Sequence, residues 1–224
     1  ANNTQILYLC NMNFLPEEIE KYSEVHTSAE SEWLCNLNRE THQKILKPRM
    51  LSGHMQGRIL SMFSQMIKPE RILEIGTYTG YSALCLAEGL AENGKLITID
   101  INEELQEFVQ KHIDASPYKN KIEQRIGNAL EVIPTLNEQF DIVFIDADKE
   151  NYLPYFNLIF DKVKTGGYII ADNVLWSGKV VDKVKANDTD TKKLLEFNAY
   201  IQNHEGVENV LLPVRDGLMI CRKK

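Results

Sequence analysis

The chain has 224 residues, 43% of them hydrophobic and 25% charged, which is enough apolar mass for one large domain and excludes the disordered, collagen-like and fibrous classes. A formal charge of −7 gives no sequence-wide basic surface to neutralise phosphates, so DNA is not an expected partner. Residues 6–15 form the longest early apolar stretch, but Asn11 and Asn13 interrupt it and it falls far short of the ~20 residues a membrane span needs. Neither a leader nor a membrane helix is expected, and a cytoplasmic location follows. Cys10, Cys35, Cys85 and Cys221 lie far apart without a C-x-x-C pair, which reads as free thiols in a reducing compartment.

The first 68 residues read as a helical lead-in. Residues 27–47 have helix-like spacing that Pro48 stops, and residues 53–67 resume it with Met55, Ile59, Leu60, Phe63, Met66 and Ile67 on one stripe. From residue 71 short apolar runs alternate with helical segments. Strands are predicted over 71–75, 95–100, 121–126, 140–146 and 167–171, and helices over 81–92, 102–115, 129–136 and 152–163. Strand and helix in alternation mean an α/β chain with a doubly wound, mostly parallel sheet. Residues 207–213 and 218–222 then form two further strand-like runs joined at Arg215-Asp216-Gly217, where Asp-Gly signals an antiparallel hairpin. No repeat or linker divides the chain, so residues 1–224 are expected to form one domain, a cap region over 1–68 and a core over 69–224. A dinucleotide-binding domain normally continues with parallel strands, whereas a terminal hairpin in the sheet resembles the class I methyltransferase fold.

Ligands of open α/β sheets bind beyond the carboxyl ends of the strands, where the strand order reverses. The first strand ends in Glu74-Ile75-Gly76-Thr77-Tyr78-Thr79-Gly80-Tyr81-Ser82. Its G-x-x-x-G spacing lacks the middle glycine that lets a backbone approach a pyrophosphate, which favours a cofactor without one. Asp100 ends the second strand where a carboxylate can accept the ribose hydroxyls of an adenosine, or else cap the helix over 102–115. Gly127-Asn128-Ala129 ends the third, where a small residue leaves room for an adenine ring.

The fourth strand delivers Asp146, Asp148 and Lys149, and the fifth delivers Asp172 and Asn173. Asp146, Asp172 and Asn173 would offer three hard oxygen ligands, which suits Mg²⁺, Mn²⁺ or Ca²⁺. Solvated strand-end acids and helix caps are the plainer alternative.

The 74–82 loop, residues 140–152 and residues 166–180 together are similar to the cation-dependent, S-adenosylmethionine-dependent O-methyltransferases of the caffeoyl-CoA and catechol type. The similarity extends from about residue 49 to the C-terminus. It implies a class I methyltransferase that moves a methyl group to a hydroxyl of a catechol-like vicinal diol. It also implies that Asp146, Asp172 and Asn173 hold a divalent ion and that Lys149, with Asp146 beside it, is catalytic. Glu74, Gly76, Thr77, Ser82, Asp100 and Ala129 match cofactor positions, and Asn128, Asp146 and Asp148 complete the expected contacts. Met50 and Ser52 lie where the family's N-terminal helices close over the methionine part, and a homodimer is the family's usual state. Plant members carry Ser-x-Asp-Glu-Gly-Gln where this chain has Gly53-His54-Met55-Gln56-Gly57-Arg58, so caffeoyl-CoA is not the expected acceptor.

A lysine near a cation and partly desolvated can serve as base, or simply pair with the acids around it. Trp176 is expected at the acceptor mouth, with a core or dimer contact as the alternative. Some bacterial relatives methylate a hydroxylated uridine in tRNA, and Lys179, Lys183, Lys185, Lys192 and Lys193 could form a basic rim, although Asp182, Asp188 and Asp190 interleave with them. An NAD-dependent oxidoreductase is disfavoured by the missing glycine and the terminal hairpin. A non-catalytic cofactor-binding protein is disfavoured by the complete Asp146, Lys149, Asp172 and Asn173 set.

Overall fold

The computed structural model describes residues 16–224, so the stretch over 6–15 and Cys10 lie outside the described residues. The lead-in comprises α1 (Glu17–Val25), α2 (Glu32–Lys44) and α3 (Gly53–Ile67). The core runs β1 (Arg71–Ile75), α4 (Tyr81–Ala87), β2 (Lys95–Asp100), α5 (Gln106–Asp114), β3 (Ile122–Ile126), α6 (Ala129–Thr135), β4 (Phe140–Ile145), α7 (Tyr152–Phe160) and β5 (Val163–Ala171). It ends with α8 (Thr189–Gln202), β6 (Val207–Leu212) and β7 (Leu218–Lys223). The seven strands lie in the order β3-β2-β1-β4-β5-β7-β6, parallel through β5 and antiparallel in the last two pairs. The order reverses between β1 and β4, which is the crevice where ligands bind in such sheets.

Strand periodicity sorts the side chains into two apolar layers. Leu73, Ile75, Ile97, Ile99, Val143, Ile145 and Ile169 face α6, α7 and α8, while Ile72, Leu96, Ile142, Phe144 and Ile170 face α2, α3, α4 and α5. Both faces of the central strands are covered, as their continuous apolar runs require. Asn128 caps α6 by accepting from the Leu130 amide at 3.0 Å, and Asp188 caps α8 by accepting from Thr191 at 3.1 Å.

Several predicted boundaries move. The helix expected over 27–47 starts at Glu32 and stops at Lys44, and α1 and α8 add helices that the sequence reading did not delimit. The helix expected over 81–92 ends at Ala87, because at Gly89 the chain passes against α3: a Cβ there would lie 2.1 Å from the Ser64 carbonyl carbon. The helix expected over 152–163 ends at Phe160, and β5 begins at Val163 rather than at residue 167, since Val163 pairs with Phe140 ahead of a register shift. Asp100 does not cap the segment after it; Asn102 does, accepting from the Glu104 amide at 3.0 Å. Cys35, Cys85 and Cys221 are free thiols. Among the described residues no helix is long and apolar enough to cross a membrane.

The close passage at Gly89 gives a direct test. Gly89→Ala forces backbone against backbone and is expected to cost about 1–3 kcal/mol, read as a lower urea midpoint with an unchanged slope.

Candidate active site

Three parallel strands end side by side. Ile75 pairs with Ile145, and Ile145 with Ala171, so the next residues, Gly76, Asp146 and Asp172, form a row at the carboxyl edge of the sheet. Ladder bonds continue past the strands: the Asp146 amide donates to Ile75 O at 2.8 Å and the Asp172 amide to Ile145 O at 2.9 Å. Gly76 has φ of +99°, and a Cβ on it would stand 1.9 Å from Asp146 O, so only glycine fits.

The loop after β1 is organised by acids. Asp100 Oδ2 accepts from the amides of Thr77 at 3.0 Å and Tyr78 at 2.7 Å, and its Oδ1 accepts from Asn102 at 2.9 Å. Beneath the loop Thr98 donates to Glu74 Oε2 at 2.5 Å, which leaves Thr77 to donate to Thr98. Glu74 is fully buried, and its other oxygen, Oε1, has no partner among the described residues. Burial pushes its carboxyl up to about 8; the charges of Asp146 and Asp100 add to this, and the nearby Ser82 hydroxyl and the Thr98 hydrogen bond oppose it. Ser82 and Ala129 are buried at the starts of α4 and α6. Ser52 is buried and Met50 half exposed in the segment entering α3, and that segment is tied down at both ends. Tyr78 Oη donates to Lys47 O at 2.8 Å, and Arg215 Nη1, from the β6–β7 turn, donates to Leu51 O at 3.2 Å.

The carboxylate cluster gathers as its sequence positions suggested. Lys149, 8% exposed, donates from Nζ to Asp146 Oδ1 at 3.2 Å, Asn173 Oδ1 at 2.7 Å and Tyr152 Oη at 2.5 Å. Tyr152 donates in turn to Asp172 O at 2.9 Å. Asn173 sits in the left-handed region with φ of 56°, and its amide donates to Asp172 Oδ1 at 2.7 Å. Asp172 is buried, and loss of water raises its carboxyl above the usual carboxylate range, with the nearby Asp146 charge adding to this. Asp148 turns away from this group: it is exposed and accepts from Tyr155 Oη at 2.6 Å and from Asn151. Trp176 closes the far side, with the Nζ atoms of Lys149 and Lys179 at 5.7 and 5.3 Å from its ring.

Among the described residues no group of three or more His, Cys, Asp and Glu side chains is gathered for a metal ion. The cluster has two such acids, Asp146 and Asp172, and takes its third oxygen from the Asn173 amide. The Lys149 ammonium already lies between Asp146 Oδ1 and Asn173 Oδ1 as a stand-in cation, so the oxygens present fit a hard divalent ion. The sequence reading missed Gln56, which donates to Asp172 Oδ2 at 2.6 Å, and Tyr152. No local signal marks Gln56, whereas Tyr152, three residues after Lys149, could have been placed on the same side of a helical turn.

The mostly parallel sheet with its antiparallel end, together with a glycine loop and strand-end acids at the switch point, defines a class I methyltransferase. The solved structures agree. An SAH-bound methyltransferase from Podospora anserina shares the fold with a TM-score of 0.86 at 24% identity, over 97% of this chain and 99% of that one. An O-methyltransferase from Bacillus cereus in complex with SAH has a TM-score of 0.85 at 28% identity, over 92% of this chain and 97% of its own. Caffeoyl-CoA O-methyltransferase 5 of Nicotiana tabacum is 37% identical over 188 residues, covering 78% of this chain and 77% of the relative. A family model described as O-methyltransferase matches residues 24–224. The chain belongs to this family, as an S-adenosylmethionine-dependent O-methyltransferase of the type that includes the caffeoyl-CoA enzymes.

Glu74 makes stability depend on pH. Its folded pKa of about 8 stands above the ordinary 4.5, so its contribution is full below about pH 4.5 and is lost as pH rises through about 8. Glu74→Gln is expected to flatten that fall and to raise Tm by ~5 °C near pH 8, measured by calorimetry on the ligand-free protein at several pH values.

Proposed function

We propose that the protein transfers the methyl group of S-adenosylmethionine to one hydroxyl of a catechol-like vicinal diol, in a reaction that needs a divalent cation. The observation that carries this reading is the Lys149 amine joining Asp146 to Asn173, with Asp172 bonded to the Asn173 amide next to them, beside the loop that ends β1. The loop residues Gly76 and Thr77, the acids Glu74 and Asp100, and Ser82, Asn128, Ala129, Met50 and Ser52 would hold the cofactor. The orphaned Glu74 Oε1 is a buried acceptor suited to a cofactor N–H or O–H. Asp148 stands at the rim of this site.

Asp146, Asp172 and Asn173 would hold the cation, Mg²⁺ by the hardness of the donors, with Mn²⁺ or Ca²⁺ as substitutes. Bound there, the cation supplies Lewis acidity that favours ionisation of the acceptor hydroxyls near neutral pH. With a cation held by Asp146 and Asn173, the Lys149 ammonium would no longer be needed between them; having released one proton to solvent, its neutral amine would accept the acceptor hydroxyl's proton at Nζ. Tyr152 keeps Lys149 in place from below through its bond to the Asp172 carbonyl. Trp176 offers an apolar wall for an aromatic acceptor, and its buried Nε1, without a partner among the described residues, offers it a donor.

The lysines considered as a basic rim are largely engaged with their own segment. Lys193 pairs with Glu196 at 2.9 Å, Lys179 lies 4.0 Å from Asp188, and Lys192 bonds to Ala186 O. A small-molecule acceptor is therefore preferred to tRNA. A second copy of the chain is the expected partner, since α1 buries none of its residues and exposes Ile19, Tyr22 and Val25, with Met62 and Met66 exposed on α3.

Methyl transfer from labelled S-adenosylmethionine to catechols and to bulk tRNA, each with Mg²⁺ and with EDTA, tests the reading. Label on a catechol that EDTA abolishes is expected; label on tRNA alone would replace the small-molecule acceptor. Lys149→Ala is expected to lower kcat by about 10²–10⁴-fold with little change in cofactor Kd, and Asp172→Ala to remove both activity and its metal dependence. Wild-type turnover in Lys149→Ala would end the assignment of the base. Sedimentation is expected to show a dimer at micromolar concentration, and a monomer there would remove the second copy.

A further inference from the structure

Asp172 is held from two directions. One donor is local: the amide of Asn173, two residues past β5, reaches Oδ1 at 2.7 Å. The other comes from the lead-in, 116 residues away in sequence, where Gln56 in the first turn of α3 reaches Oδ2 with its Nε2 at 2.6 Å. Both side chains are buried, Gln56 at 1% exposure and Asp172 at 3%. Among the described residues no cationic side chain bonds to Asp172; the Lys149 ammonium goes to Asp146, Asn173 and Tyr152 instead. A carboxylate out of water can be aimed only by the donors around it, and among the described residues Gln56 is the one donor to its side chain from outside the turn that follows β5.

Gln56 is itself held firmly. A Cβ on its neighbour Gly57 would lie 2.6 Å from Tyr81 Cε1 and 2.8 Å from Cys85 Sγ, so α3 lies against α4 at this turn and Gln56 has no freedom to slide along it. The segment that enters α3 is fastened by Tyr78 to Lys47 and by Arg215 to Leu51.

We propose that Gln56 is a positioning residue that aims the Asp172 carboxylate at the divalent ion, so that ion affinity depends on the docking of α3 against the sheet. This rests on the metal-dependent reading above. The coupling runs both ways: an ion that turns Asp172 into its site also favours the docking of α3 at Gln56. Outer partners that orient a ligating carboxylate are worth about 10–100-fold in metal affinity.

The test is Mn²⁺ binding by electron paramagnetic resonance of the free ion, with S-adenosylmethionine binding by calorimetry on the same samples, for wild type and Gln56→Leu. The expected result is a Mn²⁺ Kd raised about tenfold or more with cofactor Kd unchanged within about twofold. Should leucine prevent folding, Gln56→Asn keeps the amide but withdraws it by one methylene, and the same loss is expected. Equal Mn²⁺ affinity in a folded variant overturns the proposal. So does a parallel loss of Mn²⁺ and cofactor affinity with a lower Tm, which marks Gln56 as a packing residue only. A wild-type protein that binds no Mn²⁺ overturns the metal-dependent reading itself, and this inference with it.

Discussion

The parallel register of β1, β4 and β5 is the constraint on which the site depends. Because side chains alternate across a sheet, a slip of one residue in β4 or β5 would turn Asp146 or Asp172 to the opposite face and separate them. The register is enforced by burial, since Val143, Ile145, Ile169 and Ala171 pack on one side and Ile142, Phe144 and Ile170 on the other. The apolar strands thus fix the acids without touching their chemistry. The two ladder bonds beyond the strands, from Asp146 to Ile75 and from Asp172 to Ile145, extend that control to the functional residues themselves.

Acids outnumber cations in this crevice. Glu74, Asp100, Asp146 and Asp172 converge, while Lys149 is the cation bonded among them, and burial and mutual repulsion raise the Glu74 and Asp172 carboxyls well above their ordinary range. Ionising these acids together costs stability in the ligand-free chain, which is why Glu74 and Asp172 resist giving up their protons. The acids are matched to ligands that carry positive charge, and on the proposed reading both the sulfonium cofactor and the divalent ion do. The neutral donors, Thr98 to Glu74, Gln56 and Asn173 to Asp172, and the loop amides to Asp100, keep the acids in place without neutralising them.

The lead-in is more than a cover for one face. It buries Leu34, Leu37 and Leu60 in the layer shared with α4 and α5, and it reaches the site through Gln56 and through the fastened segment before α3. The β6–β7 turn contributes from the other end of the chain: Arg215 ties the lead-in down, and Asp216 accepts from the Ser177 amide just after Trp176. This edge of the sheet is therefore covered by the lead-in and the β6–β7 turn, which meet there.

Local pattern was enough for the strands except the start of β5. Apolar runs of five or six residues bounded by glycine or charge placed β1 and β2 at their observed limits, the Asp-Gly turn placed the hairpin, and the strand-end positions of Asp146, Lys149, Asp172 and Asn173 foretold their meeting. Such features depend on side-chain alternation and turn chemistry, which act over a few residues and are written in the order of the chain. What only the tertiary structure decided depends on contacts between distant segments. Gly89 cuts α4 short because Ser64 lies against it, Asp148 faces Tyr155 instead of the cluster, and Gln56 finds Asp172 across 116 residues. Their positions are set by the packing of α3 and α7 on the sheet, and no short stretch of sequence encodes which side chain a helix will press against a strand end.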